Sequence, residues 1–210
     1  MTAGWIGGST GVDVPSAGDV AVWRMSATMG MGRILAQRGA AAFDNRRMQE
    51  RWKPNVTVAA VMERQGRFLL VEEETADGLR LNNPAGHLEP GETPAAGCIR
   101  EALEETAHRF TPTHLLGVYL SRSRRAASGA DVTYLRFAFR GDVGELLDRP
   151  LDHGIVRTLW LTPDEVRASA ARHRSPLVVR CMEDWLRGVR YPLDAVYADA
   201  AVTALGGVAA

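Results

Sequence analysis

Residues 86–108 read GHLEPGETPAAGCIREALEETAH, and this run constrains the chain more than any other. Glu101, Glu104 and Glu105 stand three and four apart, so on a helix their side chains share one face. Like charges at that spacing repel by roughly a few tenths of a kcal/mol per pair. A divalent cation relieves that repulsion. The helix itself is well marked. Thr93 is placed to cap its N-terminus, and Pro94 falls at the first helical position, where its missing N–H costs nothing. Ala95, Ala96, Ala102 and Leu103 favour helix, and a stop is predicted near Ala107. Cys98 falls on the apolar side and reads as a buried thiol.

The order of these residues resembles the Nudix box, G-x5-E-x7-R-E-U-x-E-E-x-G-U, where U is apolar. Gly86, Glu92, Arg100, Glu101, Glu104 and Glu105 occupy its fixed positions. The last glycine is replaced by Ala107, and the apolar position after it by His108. Glycine there normally provides a left-handed cap, a conformation that costs alanine about 1 kcal/mol or more. Taken alone, R-E-x-x-E-E is common on solvated helix faces. Gly86 and Glu92 in register separate this stretch from such a face.

Composition fits a small soluble enzyme. The chain has 210 residues, with 25 Lys plus Arg against 25 Asp plus Glu, so no bulk charge draws it to a nucleic-acid polymer or an anionic membrane. Cys98 and Cys181 form neither a disulfide framework nor a metal-ligand spacing, which fits a reducing cytoplasm. No apolar run approaches membrane-span length.

Three parts are expected. Residues 1–50 lack sustained periodicity and read as a disordered or dispensable extension in preference to a targeting signal, with a short helix at 31–43. Residues 51–195 carry the domain, and 196–210 a frayed tail. Within the domain, 55–62 reads as a buried strand with 67–73 as its hairpin partner, and 79–83 as a short extended segment. Further strands are expected at 115–121, 132–141 and 156–161, with a flexible loop at 121–131. Thr162–Pro163 opens a short helix, and Ser175–Pro176 a last one running to about Arg187. Strands, helix, strands and helices again indicate an α/β fold.

Outside the box the chain is similar to the phosphatase-type NudJ group of Nudix hydrolases. The similarity rests on Lys53–Ala59 (KPNVTVA), Asn82–Glu89 (NNPAGHLE), Arg174–Val178 (RSPLV) and Tyr191–Leu193 (YPL). It implies an α/β/α sandwich around a mixed β-sheet with a loop-helix-loop catalytic motif. It further implies Mg²⁺, with Mn²⁺ as an alternative, held by Glu101, Glu104, Glu105 and the Ala85 carbonyl. The hard oxygen donors suit Mg²⁺, which keeps several waters and binds few carboxylates. Glu101 is the candidate to orient or deprotonate the attacking water; Asp142, Glu145, Asp148 and Asp152 stay open as alternatives. Gly86, Glu92 and Arg100 are given structural roles, with Arg100 pairing to Glu92.

Arg122 and Arg124, with Arg125, could hold substrate phosphates, although a solvated loop explains them equally. His87 fits loop packing, and His108, His114, His153 and His173 read as surface residues. Trp160 reads as core or pocket wall and Trp185 as the anchor of the last helix. The resemblance therefore implies a hydrolase releasing orthophosphate from nucleoside tri- and diphosphates or other small diphosphates, such as thiamine-pathway intermediates, acting as a monomer or homodimer. The alternatives are a pyrophosphohydrolase cutting an internal bond of a nucleotide sugar or damaged nucleotide, and a non-catalytic nucleotide-binding module.

Overall fold

The computed structural model describes residues 52–124 and 129–204. The extension at 1–50, its helix at 31–43, Arg125 and residues 205–210 lie outside them.

Two sheets form the frame. β1 (Asn55–Val61) is central in the first. It pairs antiparallel with the short β5 (Ala85–His87) on one side and parallel with β7 (Asp131–Leu146) on the other. β7 in turn pairs antiparallel with β6 (His108–Arg124), giving the order β5-β1-β7-β6. The second sheet is organised on β3 (Arg67–Thr75). β8 (Ile155–Leu161) lies along one edge of β3, and β2 (Glu63–Arg64) and β4 (Gly78–Asn82) share the other.

β1 reads as a run of apolar residues because both of its faces are covered. Val58, Ala60 and Met62 pack with Cys98 and Ala102 of α1 (Pro94–Thr106) and with Phe110, Leu115 and Phe139. Ala59 and Val61 face the other way, toward Val178, Cys181 and Met182 of α3 (Leu177–Leu186) and Val166 of α2 (Pro163–Ala168). The result is the expected α/β/α arrangement around a mixed sheet. Phe68 and Phe139 are among the largest wholly buried side chains, and burial of each contributes about 1.5–3 kcal/mol. Trp185 closes the α3 side, edge-on to Phe68 at 5.3 Å between ring centres, with the Arg140 guanidinium 4.6 Å from its own ring.

Several expectations need correcting. β1 and β3 are not a simple hairpin. The chain leaves the first sheet after Val61 and enters the second at Glu63, so only a short segment around Met62–Arg64 faces the start of β3. The residues at 121–131 are not simply a loop. β6 runs to Arg124 and β7 begins at Asp131, because Arg122 and Arg124 stand opposite Thr133 and Asp131 in a continuing ladder. His108 is buried, edge-on to Trp160 at 6.0 Å, with Nδ1 3.3 Å from the Gly144 carbonyl. An imidazole thus fills the apolar position that closes the box. His173 is half-buried, with Nε2 3.0 Å from Ser169 Oγ. In the tail, Ala200–Ala204 forms a short exposed helix, α4.

Candidate active site

The site begins with how α1 is held. Thr93 Oγ1 accepts from the Ala96 N–H at 3.2 Å, and Pro94 occupies the first turn. At the other end Ala107 takes the left-handed conformation, with φ 57°, and its N–H donates to the Leu103 carbonyl at 3.0 Å. The turn that glycine normally makes is therefore made by alanine.

The loop before α1 is tied down by one guanidinium. Arg100 Nε and Nη2 donate to the two oxygens of Glu92 at 3.1 and 2.8 Å, and Nη2 also donates to the His87 carbonyl at 3.0 Å. Nη1 donates to Glu101 at 2.7 Å and Glu104 at 3.1 Å. Glu92 also accepts from the Glu89 N–H at 2.8 Å. Burial raises the Glu92 carboxyl, but Arg100 and that N–H outweigh it and hold it below the usual range. Gly97 makes this approach feasible: a Cβ there would lie 2.9 Å from Cδ of Glu92.

The acidic face meets β5. The Ala85 N–H donates to Glu105 at 2.8 Å, and a Cβ on Gly86 would fall on the Glu101 carboxylate. Glu101 and Glu105 are both buried, while Glu104 is more open. Burial pushes Glu105 up to about 8, opposed by the Ala85 N–H and assisted by the nearby charges of Glu101 and Glu73. Burial also raises Glu101, against the pull of Arg100.

This donor set fits a magnesium ion. It offers only hard oxygens, and the Glu101 and Glu105 carboxyls are raised by burial and by neighbouring carboxylates, which a cation would relieve. Among the described residues no three His, Cys, Asp or Glu side chains are grouped closely enough to cage a metal ion. A cage is not what Mg²⁺ needs, because one or two carboxylates with waters and substrate phosphates complete its shell.

Other proposed residues lie elsewhere. Arg122 is exposed and paired with Asp131 at 2.6 Å on the outer β6–β7 ribbon, beyond the start of β1. Arg124 is exposed at the end of the same ribbon. Glu145 pairs with Arg109 at 2.7 Å. Asp152 lies nearer the helix, its N–H donating to the Glu104 carbonyl at 2.9 Å.

The structure adds residues that sequence reasoning passed over. Glu72 and Glu73 are adjacent on β3 and both buried. Glu72 bonds Arg157 at 2.7 Å and also Arg172. Glu73 bonds Arg174 through one oxygen, and its charge is felt at Glu105. Burial raises Glu73, and Arg174 and Asn82 draw it back down. Arg136, at the register position beside Thr57, is buried in the same region. A lone arginine inside the apolar run TYLRFAF was the signal available for it.

Comparison with known proteins places these features in a family context. A NUDIX domain model matches residues 51–181. Phosphatase NudJ of Escherichia coli strain K12 is 36% identical over 147 residues, covering 69% of this chain and 92% of that protein. The NudJ of Shigella flexneri matches to the same extent. A solved NUDIX hydrolase from Nitrosomonas europaea is 52% identical, covers 70% of this chain and 98% of its own, and superposes with a TM-score of 0.64. A UDP-X diphosphatase structure shares the fold at 18% identity and a TM-score of 0.53, covering 67% of this chain and 66% of its own.

Proposed function

The chain belongs to the Nudix hydrolase family, and on that premise we propose that it is a Mg²⁺-dependent phosphatase of small diphosphate compounds. Its substrates in this reading are nucleoside tri- and diphosphates and similar molecules, such as thiamine-pathway diphosphates, with orthophosphate as the product. One observation carries the phosphatase assignment: the match to Phosphatase NudJ runs across nearly the whole of that relative.

Glu101, Glu105 and the Ala85 carbonyl are the residues that would hold Mg²⁺, with Glu104 as a further ligand directly or through water. Bound there, the ion supplies charge neutralisation and polarises the phosphoryl group. The chain's own residues do the rest. Glu101 accepts the proton of the attacking water, a role suited to a carboxyl that burial makes more basic than usual. The water oxygen bonds to the terminal phosphorus, and the bridging P–O bond breaks. Arg100 sets the loop against the helix and orients Glu101 and Glu104. Gly86 lets that carboxylate sit against the strand.

The test is hydrolysis of a panel of diphosphate compounds with and without chelator. Activity that vanishes with chelator and returns with Mg²⁺, or with Mn²⁺, supports the proposal. Chelator-resistant turnover contradicts it.

A further inference from the structure

Arg136 is 8% exposed, yet its Nε and Nη1 have no hydrogen-bond partner among the described residues. Guanidinium groups stay charged, and a buried charge without hydrogen bonds is costly. Burial pushes this one below its usual value, while the carboxylates of Glu73 and Glu105 favour its charged form. Neither carboxylate satisfies it. Glu73 Oε2 is taken by Arg174, and Glu105 Oε2 by the Ala85 N–H.

The orphaned donors are accompanied by orphaned acceptors. Thr57 Oγ1, beside Arg136 in the β1–β7 register, has no partner among the described residues, nor do Glu73 Oε1 and Asn82 Oδ1. Buried polar atoms are nearly always paired with protein, water or ligand. Here the unpaired atoms come from β1, β3, β4 and β7 and adjoin the acidic face of α1. Nε–H and Nη1–H lie on different sides of the guanidinium, so each is a separate charged donor open to an anionic oxygen.

We propose that Arg136 is a substrate-binding residue whose unpaired Nε–H donates to an oxygen of a substrate phosphoryl group, beside Glu105. The proposal rests on the hydrolase reading of the Glu101–Glu105 face. It gives phosphate recognition to a buried arginine between the sheets in place of the exposed Arg122 and Arg124. Thr57 Oγ1, Glu73 Oε1 and Asn82 Oδ1 are unpaired as well, and such acceptors suit a hydroxyl or amine hydrogen on the substrate.

The experiment uses the full chain with Mg²⁺ and imidodiphosphate, a diphosphate mimic that resists hydrolysis. The protein is labelled with ¹⁵N-arginine, and the Arg136 Nε–H resonance is assigned by its loss in Arg136→Lys. That resonance shifts on adding imidodiphosphate, while the Arg122 Nε–H does not. In Arg136→Gln, KM for a nucleoside triphosphate rises at least about tenfold. Arg136→Lys gives an intermediate KM, because the ammonium keeps the charge but not the Nε–H donor at its place. If wild type binds imidodiphosphate and the Arg136 resonance stays still, the proposal is overturned, and this measurement does not depend on the variants folding. If wild type neither binds imidodiphosphate nor hydrolyses triphosphates, the hydrolase reading falls and takes this proposal with it.

Discussion

The Glu101 carboxylate lies directly against the Cα of Gly86, so the first residue of the box and the first glutamate of its helix are fitted to each other. In Gly86→Ala the new methyl occupies the carboxylate's place. Glu101 is the end of a flexible side chain and can move aside, so the fold survives. Melting temperature should change little, while turnover falls roughly 10–100-fold, the range seen when a metal ligand's support is disturbed. Wild-type turnover in Gly86→Ala would show that the position of Glu101 is unimportant.

Ala107 holds a left-handed conformation at the end of α1. Ala107→Gly should raise unfolding free energy by about 1 kcal/mol, the strain relieved less the entropy added to the unfolded chain. Denaturant midpoints measure it. A destabilised variant would mean that the alanine methyl, which is buried, contributes more than the strain costs.

Glu105 predicts a pH dependence for the metal-free protein. Its folded pKa of about 8 lies above the ordinary carboxyl value of 4.5. Between those values the folded state binds a proton that the unfolded state has released, so stability declines as pH rises through this window and levels off above it. Glu105→Gln should lose that part of the slope. Mg²⁺ competes with the same proton, so its stabilising increment in wild type should grow with pH across the window. Turnover of Glu105→Gln should drop by about 10² or more. Equal pH slopes in wild type and variant would contradict the assignment.

The family match begins at residue 51. We expect a chain starting at Met48 to fold and to hydrolyse substrate with unchanged kcat and KM. A large loss in either constant would show that the preceding residues serve the site.

The α1 segment was legible in the sequence because its information is local: a cap at Thr93, a proline at the first turn, and carboxylates one turn apart. Arg136 and Glu73 were not, because their significance lies in what surrounds them from distant parts of the chain. A strand pattern tells which residues are buried but not against what. The same ambiguity hid the change of sheet after Val61, since an apolar run followed by a turn fits a hairpin equally well. Arg122 and Asp131 looked like loop residues because they are charged, yet they pair across an exposed ribbon where charge carries no penalty. His108 looked like a surface residue by type alone and is instead packed against Trp160.

The identity of the broken bond tests the central claim most directly. A nucleoside triphosphate is hydrolysed with Mg²⁺ in ¹⁸O-water, and products are followed by phosphorus NMR and mass spectrometry. Terminal attack predicts nucleoside diphosphate and labelled orthophosphate first, followed by the monophosphate. Pyrophosphate as the initial product, with label on the nucleoside monophosphate, would contradict the phosphatase assignment and make this chain a pyrophosphohydrolase.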